Sequence, residues 1–188
     1  MSTTKGIVAF KLKDGTYRVA YNDDNAMPEK LGANVVKEIQ AAHANGRLRN
    51  WWENLAKNLV VLKGDAIPTT AQIEECKATI VDLRKNGPHA LSWYELLYGA
   101  EGSAERVLNA GYINNFVNEK TGLPIHQDYS YIINFQTNKF EFYANPYSPF
   151  DKEYTTESKL LSTHEFYDLP DWSGVKTMRF QDFISSFK

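Results

Sequence analysis

Gly6-Ile-Val-Ala-Phe-Lys-Leu12, Asp14-Gly15 and Thr16-Tyr-Arg-Val-Ala-Tyr21 decide the fold, because two runs rich in β-formers flank a residue pair that tolerates positive φ. The pattern predicts a tight hairpin. In its second run Tyr17, Val19 and Tyr21 alternate onto one face with Arg18 on the other, so one face is expected to be buried. Asn22-Asp-Asp-Asn25 ends the strand with side chains that hydrogen-bond their own backbone, and Pro28 pre-sets φ for the first turn of a helix. Leu31, Val35, Ile39 and Ala42 recur at helical spacing, Val36 widens the stripe, and Asn45-Gly46 supplies the stop.

Downstream, the spacing predicts a helix over Asn50 to Leu62 with Leu55, Leu59 and Leu62 as its core row. A third helix follows, capped by Thr69 or Thr70, with a stripe of Ile73, Cys76, Ile80 and Leu83 that ends at Gly87-Pro88. Ser92 and Glu95 match a capping box for a short helix through Tyr98, and Ala104 to Ala110 adds a turn or two closed by Gly111. The pattern then reverts to period two. Tyr129 to Phe135 and Lys139 to Tyr143 predict a second hairpin, followed over residues 144–172 by an irregular, aromatic-rich excursion. Strands at both ends with a helical insertion at about residues 29–111 predict a single α+β domain. Its antiparallel sheet is built from the N-terminal and C-terminal hairpins, with the helices on one face.

Composition narrows the function classes. A chain of 188 residues with a formal net charge of -2 offers no global attraction to phosphate backbones, so nucleic acid is not an expected partner. No apolar run approaches the roughly 20 residues needed to span a bilayer, and the N-terminal residues lack a secretory h-region. The single cysteine, Cys76, fits a reducing compartment, so cytoplasmic residence is expected.

Candidate chemistry is sparse. Asn22, Asp23, Asp24, Asn25 and Glu29 gather oxygen ligands, but without EF-hand spacing, and a solvated loop at a helix N-terminus accounts for the same residues. The four histidines are scattered and only one cysteine is present, so neither a metal nor any other cofactor is expected. His126 beside Asp128 and His164 beside Glu165 are candidate general bases of a kind that chance readily provides. Cys76 lies inside an apolar stripe and reads as a small hydrophobe. Ser2 becomes a candidate N-terminal nucleophile only if Met1 is removed.

Met1-Ser-Thr-Thr-Lys-Gly6, the hairpin Ile7 to Tyr21, and the loop-helix Asn22 to Ile39 with Pro28-Glu-Lys-Leu-Gly32 resemble a scattered family of small phage, bacterial and fungal proteins. Those proteins open with Met, Gly or Ser, Thr and Arg, then a hairpin, then an aromatic-rich loop leading to Pro-Glu-Gly or Pro-x-Gly before a helix. The late hairpin Tyr129 to Tyr143 is similar to their second strand pair. The chain departs from the pattern at Thr4-Lys5, where the family has arginine, and at Asn22 to Met27, where the family's loop often carries His, Asp and Tyr. The family has no settled activity, so the resemblance implies a fold and a phage setting and little chemistry.

The leading expectation is a non-enzymatic binding protein that engages a protein partner, with a phage-encoded accessory factor acting on a host protein as one setting. Trp51, Trp52, Tyr147, Phe150, Tyr154 and Trp172 are its candidate contacts, and a homo-oligomer stays open. The rival is a small-ligand or nucleotide-binding protein, or a hydrolase, with Asp23, Asp24 and Glu29 in a pocket between the first hairpin and the acidic loop.

Overall fold

The N-terminal hairpin forms as β1 (Gly6–Lys11) and β2 (Tyr17–Asn22) in a computed structural model that describes residues 4–79, 92–145 and 158–169 together with Trp172 and Asp182. Gly15 takes the positive φ that the turn requires, at 85°. The second hairpin pairs β5 (Tyr129–Asn134) with β6 (Lys139–Ala144), and Asn134 stabilises its turn by accepting the N–H groups of Gln136 and Thr137 at 3.0 and 3.1 Å.

The two hairpins share one sheet. Its order is β2-β1-β5-β6-β7, where β7 is Lys159–Glu165, and β1 runs parallel to β5 while the other neighbours are antiparallel. The α+β architecture stands, but the sheet is mixed where an antiparallel one was expected. A parallel pair needs a long crossover, and the helical chain between β2 and β5 provides it. β7 lies inside the stretch expected to be irregular. Its sequence, Lys-Leu-Leu-Ser-Thr-His-Glu, has little alternation, and the strand forms against the exposed backbone edge of β6.

Between the hairpins, a π-helical turn at Pro28–Gly32 leads into α1 (Ala33–Ala44), and a second at Leu48–Trp52 leads into α2 (Glu53–Asn58). The expected continuation of α2 to Leu62 does not occur. Leu59 turns extended, and β3 (Val60–Val61) pairs in parallel with β4 (Tyr112–Ile113), Val60 N–H donating to the Gly111 carbonyl at 2.9 Å. Two consecutive β-branched valines favour this outcome. Thr69 and Gln72 form a reciprocal cap ahead of α3 (Thr70–Thr79), while Ile80, Leu83 and Gly87-Pro88 fall outside the described residues. Ser92 caps α4 (Trp93–Leu97), which tightens into a 3-10 turn at Tyr98–Ala100. Ser103 caps α5 (Ala104–Ala110), and Gly111 closes it with φ 78°. Glu38 of α1 sits at that same helix end, accepting the Ser103 hydroxyl at 2.5 Å and the Glu105 N–H at 3.2 Å, so α1 fixes where α5 begins. Burial pushes the Glu38 carboxyl above its usual range, against these hydrogen bonds.

The helices cover one face of the sheet. Val8, Phe10, Tyr131, Ile133, Phe140 and Phe142 meet Leu31, Val35, Ile39, Trp52, Leu96 and Leu108 in the main core. The Tyr17, Val19, Tyr21 face of β2 belongs to the opposite side, where it joins Ile7, Ala9 and Ile132 beneath Phe116 and Val117. Both sides of β1 are therefore buried, which explains its unbroken apolar run.

Trp52 and Trp172 are core rings rather than surface contacts. Trp52 is 1% exposed, and Trp172 stands edge-on to Tyr131, Phe140 and Phe142 with centroids 6.1, 5.8 and 5.2 Å away. Gly32 permits this packing, because a Cβ there would overlap the Trp172 ring and lie 2.8 Å from Tyr131 Cε1. The Tyr131 hydroxyl donates to the buried Ala26 carbonyl at 2.7 Å, tying the acidic loop to the sheet. Replacing Tyr131 by Phe strands that carbonyl and is expected to cost about 1–3 kcal/mol. Urea unfolding measures this, and an unchanged midpoint would count against the tie.

Candidate functional site

β2 is the strand at one edge of the sheet, and its outer edge is partly closed by a side chain. Asn115, with φ 46°, accepts the Val19 N–H on its Oδ1 at 2.9 Å, and Phe116 N–H donates to the Val19 carbonyl at 2.8 Å. Beyond this plug a pocket of about 250 Å³ opens between β2, α4, the 3-10 turn, α5 and β4. Ala20 lies on the main-core side of the strand and Tyr21 on the other, so the pocket wraps the strand edge.

Its walls are mostly apolar. Leu97, Val107, Ala110 and Ile113 line the interior, and the Phe116 ring packs on Tyr21 with centroids 5.0 Å apart. Tyr112 is held on the far side by the Trp93 ring at 4.6 Å and by a hydroxyl bond to Glu75 at 2.9 Å. A second depression of about 350 Å³ adjoins it, sharing Tyr98 and Glu101 and lined by polar groups that include Asp24, Asn25, Lys30 and Arg106.

The polar groups converge where the two spaces meet. Tyr21 and Tyr94 donate their hydroxyls to the two carboxylate oxygens of Asp23, at 3.1 and 3.4 Å. Asp23 N–H donates to Glu101 Oε2 at 2.9 Å, and Asn22 Oδ1 accepts the Gly102 N–H at 2.8 Å, so the end of β2 is stitched to the turn before α5. Burial, with the negative charges of Asp23 and Asp24, pushes the Glu101 carboxyl up to about 7 despite that hydrogen bond. Burial and the carboxylates of Asp23 and Glu101 push the Tyr21 and Tyr94 hydroxyls up to about 12, so both remain donors. Arg106 gives Glu101 no direct relief, since its guanidinium donates to the Gly99 and Glu101 carbonyls at 3.1 and 2.9 Å.

Of the expected pocket residues, Asp24 lines the polar depression, Asp23 lines neither space but holds the hydroxyls of Tyr21 and Tyr94 that line the apolar one, and Glu29 lines neither. Among the expected protein contacts, Trp51 is 56% exposed on the π-helical turn, while Tyr147, Phe150 and Tyr154 fall outside the described residues, as does Ser2. Among the described residues no group of three His, Cys, Asp or Glu side chains converges as metal ligands, and no helix is long and apolar enough to cross a membrane.

His126 does not take the expected carboxylate partner. Asp128 accepts the Lys5 N–H at 2.9 Å, and His126 Nδ1 instead shares a hydrogen bond of 2.9 Å with Ser130 Oγ. That spacing suits a nucleophile and base, but Ser130 is fully buried between Ile7 and Tyr143 in the sheet, out of reach of a substrate. The pair satisfies a buried hydroxyl. His164 is next to Glu165, whose carboxylate pairs with Lys139 at 3.4 Å. Cys76 is buried, and burial raises its thiol to about 11, which leaves it inert.

Tyr94, Tyr98, Glu101, Val107 and Phe116 escaped the sequence reading. Capping signals at Ser92 and Gly111 located the helices that carry Tyr94 and Val107, but nothing local says that Glu101 meets a residue from β2. No protein-family model, no curated protein and no solved structure matches the chain.

The raised pKa of Glu101 carries a stability consequence. Its carboxyl binds a proton more readily folded than unfolded, so the folded form loses stability as pH rises from the ordinary carboxylate range through about 7. Glu101→Gln removes that cost and can still accept the Asp23 N–H. After discounting for partial exposure, it is expected to stabilise the protein by about 1 kcal/mol near pH 8, with the gain shrinking toward pH 5. Thermal unfolding at the two pH values checks this, and an equal gain at both would contradict the assignment.

Proposed function

We propose that the protein is a non-enzymatic binding protein whose ligand is a small molecule with an apolar body, held in the pocket at the edge of β2. The observation that carries this reading is the pairing of an apolar interior with a few converging polar groups at its mouth, the usual composition of a ligand site. At about 250 Å³ the pocket lies below the range of drug-sized sites, which favours a compact ligand. Two tyrosine hydroxyls already committed to Asp23 favour orientation of a ligand over proton transfer to it. The resemblance of the N-terminal region to small phage proteins supports a phage-encoded accessory role in a host cytoplasm.

A second reading is recognition of a protein partner through Trp51. Its exposed indole supports this, since tryptophan is enriched among residues that dominate binding energy. Loss of a defined partner's binding on Trp51→Ala, with the pocket still functional, would favour it.

The pocket reading is tested by a thermal-shift and NMR screen of compact aromatic and aliphatic compounds. A ligand at a hundred times its dissociation constant is expected to stabilise the native state by about 2.7 kcal/mol. Ala20→Phe places a ring in the pocket from a half-buried strand position and should abolish the shift while leaving the circular dichroism spectrum unchanged. Absence of any binder, or a shift that survives Ala20→Phe, would contradict the reading.

A further inference from the structure

Building on the pocket reading, we propose that the natural occupant is a small organic ammonium compound, its apolar body against Leu97, Val107, Ile113 and Phe116 and its charged nitrogen at the carboxylate of Glu101. The argument is one of charge complementarity at a pocket of defined shape. The pocket's interior offers an apolar body a dry surface, while its mouth presents the Glu101 carboxylate, with Asp23 beside it holding the hydroxyls of the lining residues Tyr21 and Tyr94. A molecule filling the apolar part can place its polar end there.

The two carboxylates are unequally satisfied. Asp23 receives the Tyr21 and Tyr94 hydroxyls and stands 3.8 Å from Lys5 Nζ in a solvent-exposed pair. Glu101 receives the Asp23 N–H on Oε2, and among the described residues no cation lies within ion-pairing reach of it. The charged and titratable groups around it are Asp23 and Asp24 from the loop, Tyr21 from β2, Tyr94 and Tyr98 from α4 and its 3-10 extension, Arg106 turned to backbone carbonyls, and Lys30 in the neighbouring depression. An ammonium group would supply the missing counter-charge, and the Tyr94 and Tyr98 rings at the mouth add faces that attract cations. A carboxylate or phosphate on the ligand would instead meet the like charge of Glu101, with Asp23 beside it.

Burial resists ionisation of Glu101, which holds its carboxyl near 7, and a bound cation favours the ionised form. Ammonium binding should therefore strengthen as pH rises through that value, whereas binding of a neutral molecule of the same shape should not.

Calorimetry with 2-phenylethylamine, 2-phenylethanol and phenylacetate separates the charge from the shape. Near pH 8 the amine is expected to bind about tenfold more tightly than the alcohol, and phenylacetate more weakly than either. Glu101→Gln should lower the amine's affinity by about tenfold while changing the alcohol's by less than about twofold. It should also flatten the rise in amine affinity between about pH 6 and 8. Equal affinity for amine and alcohol would overturn the ammonium assignment and leave the pocket reading intact. Failure of all three to bind would overturn both. Tighter binding of a capped lysine than of 2-phenylethylamine would overturn the small-molecule occupant in favour of a partner protein's lysine side chain.

Discussion

The parallel pairing of β1 with β5 is the constraint on which the rest of the structure depends. It sets Val8 opposite Tyr131 and Phe10 opposite Ile133, joining two ribbons that would each be marginal alone into one five-stranded sheet. Tyr131 then serves both sides of the junction. Its ring lies in the main core beside Phe140, Phe142 and Trp172, and its hydroxyl holds the Ala26 carbonyl of the acidic loop. The loop in turn fixes where Asp23 stands, so a contact in the centre of the sheet determines the geometry at its edge.

At that edge the sheet meets the helical block in an electrostatically costly way. Glu101 is drawn partly out of water beside two other carboxylates, and its position is held by backbone stitching between Asn22, Asp23 and Gly102. Groups held in this manner concentrate at binding and catalytic sites, because a stable fold tolerates local destabilisation where a ligand later relieves it. The adjoining apolar pocket gives that general observation a specific location.

Much of the architecture was legible because local chemistry and tertiary outcome agree. Asp14-Gly15 makes the turn it encodes, Ser92-x-x-Glu95 caps the helix that follows it, and Gly111 ends α5 with positive φ. The failures share a cause, which is that a distant backbone edge overrode the local pattern. Leu59 to Leu62 continues a helical stripe, yet Val60 and Val61 pair with β4, and β7, whose sequence has little alternation, forms against the edge of β6. The site was half visible. Asp23 and Asp24 drew attention as a dense acidic loop, whereas Glu101 sits between glycines in an unremarkable turn and acquires its character only when the sheet brings β2 against it. Likewise Trp52 and Trp172 carry no sequence mark that separates a core ring from an exposed one, and packing around Gly32 decides the latter.

Native-state hydrogen exchange of the backbone amides is the most direct test of whether the two ribbons form one cooperative sheet. The account predicts that amides of β1 and β5 that bond across the junction exchange in a single slowest class, at the free energy of global unfolding. A β1–β2 hairpin that opens at markedly lower free energy than β5 and β6 would contradict it, and with it the geometry of the pocket at the sheet's edge.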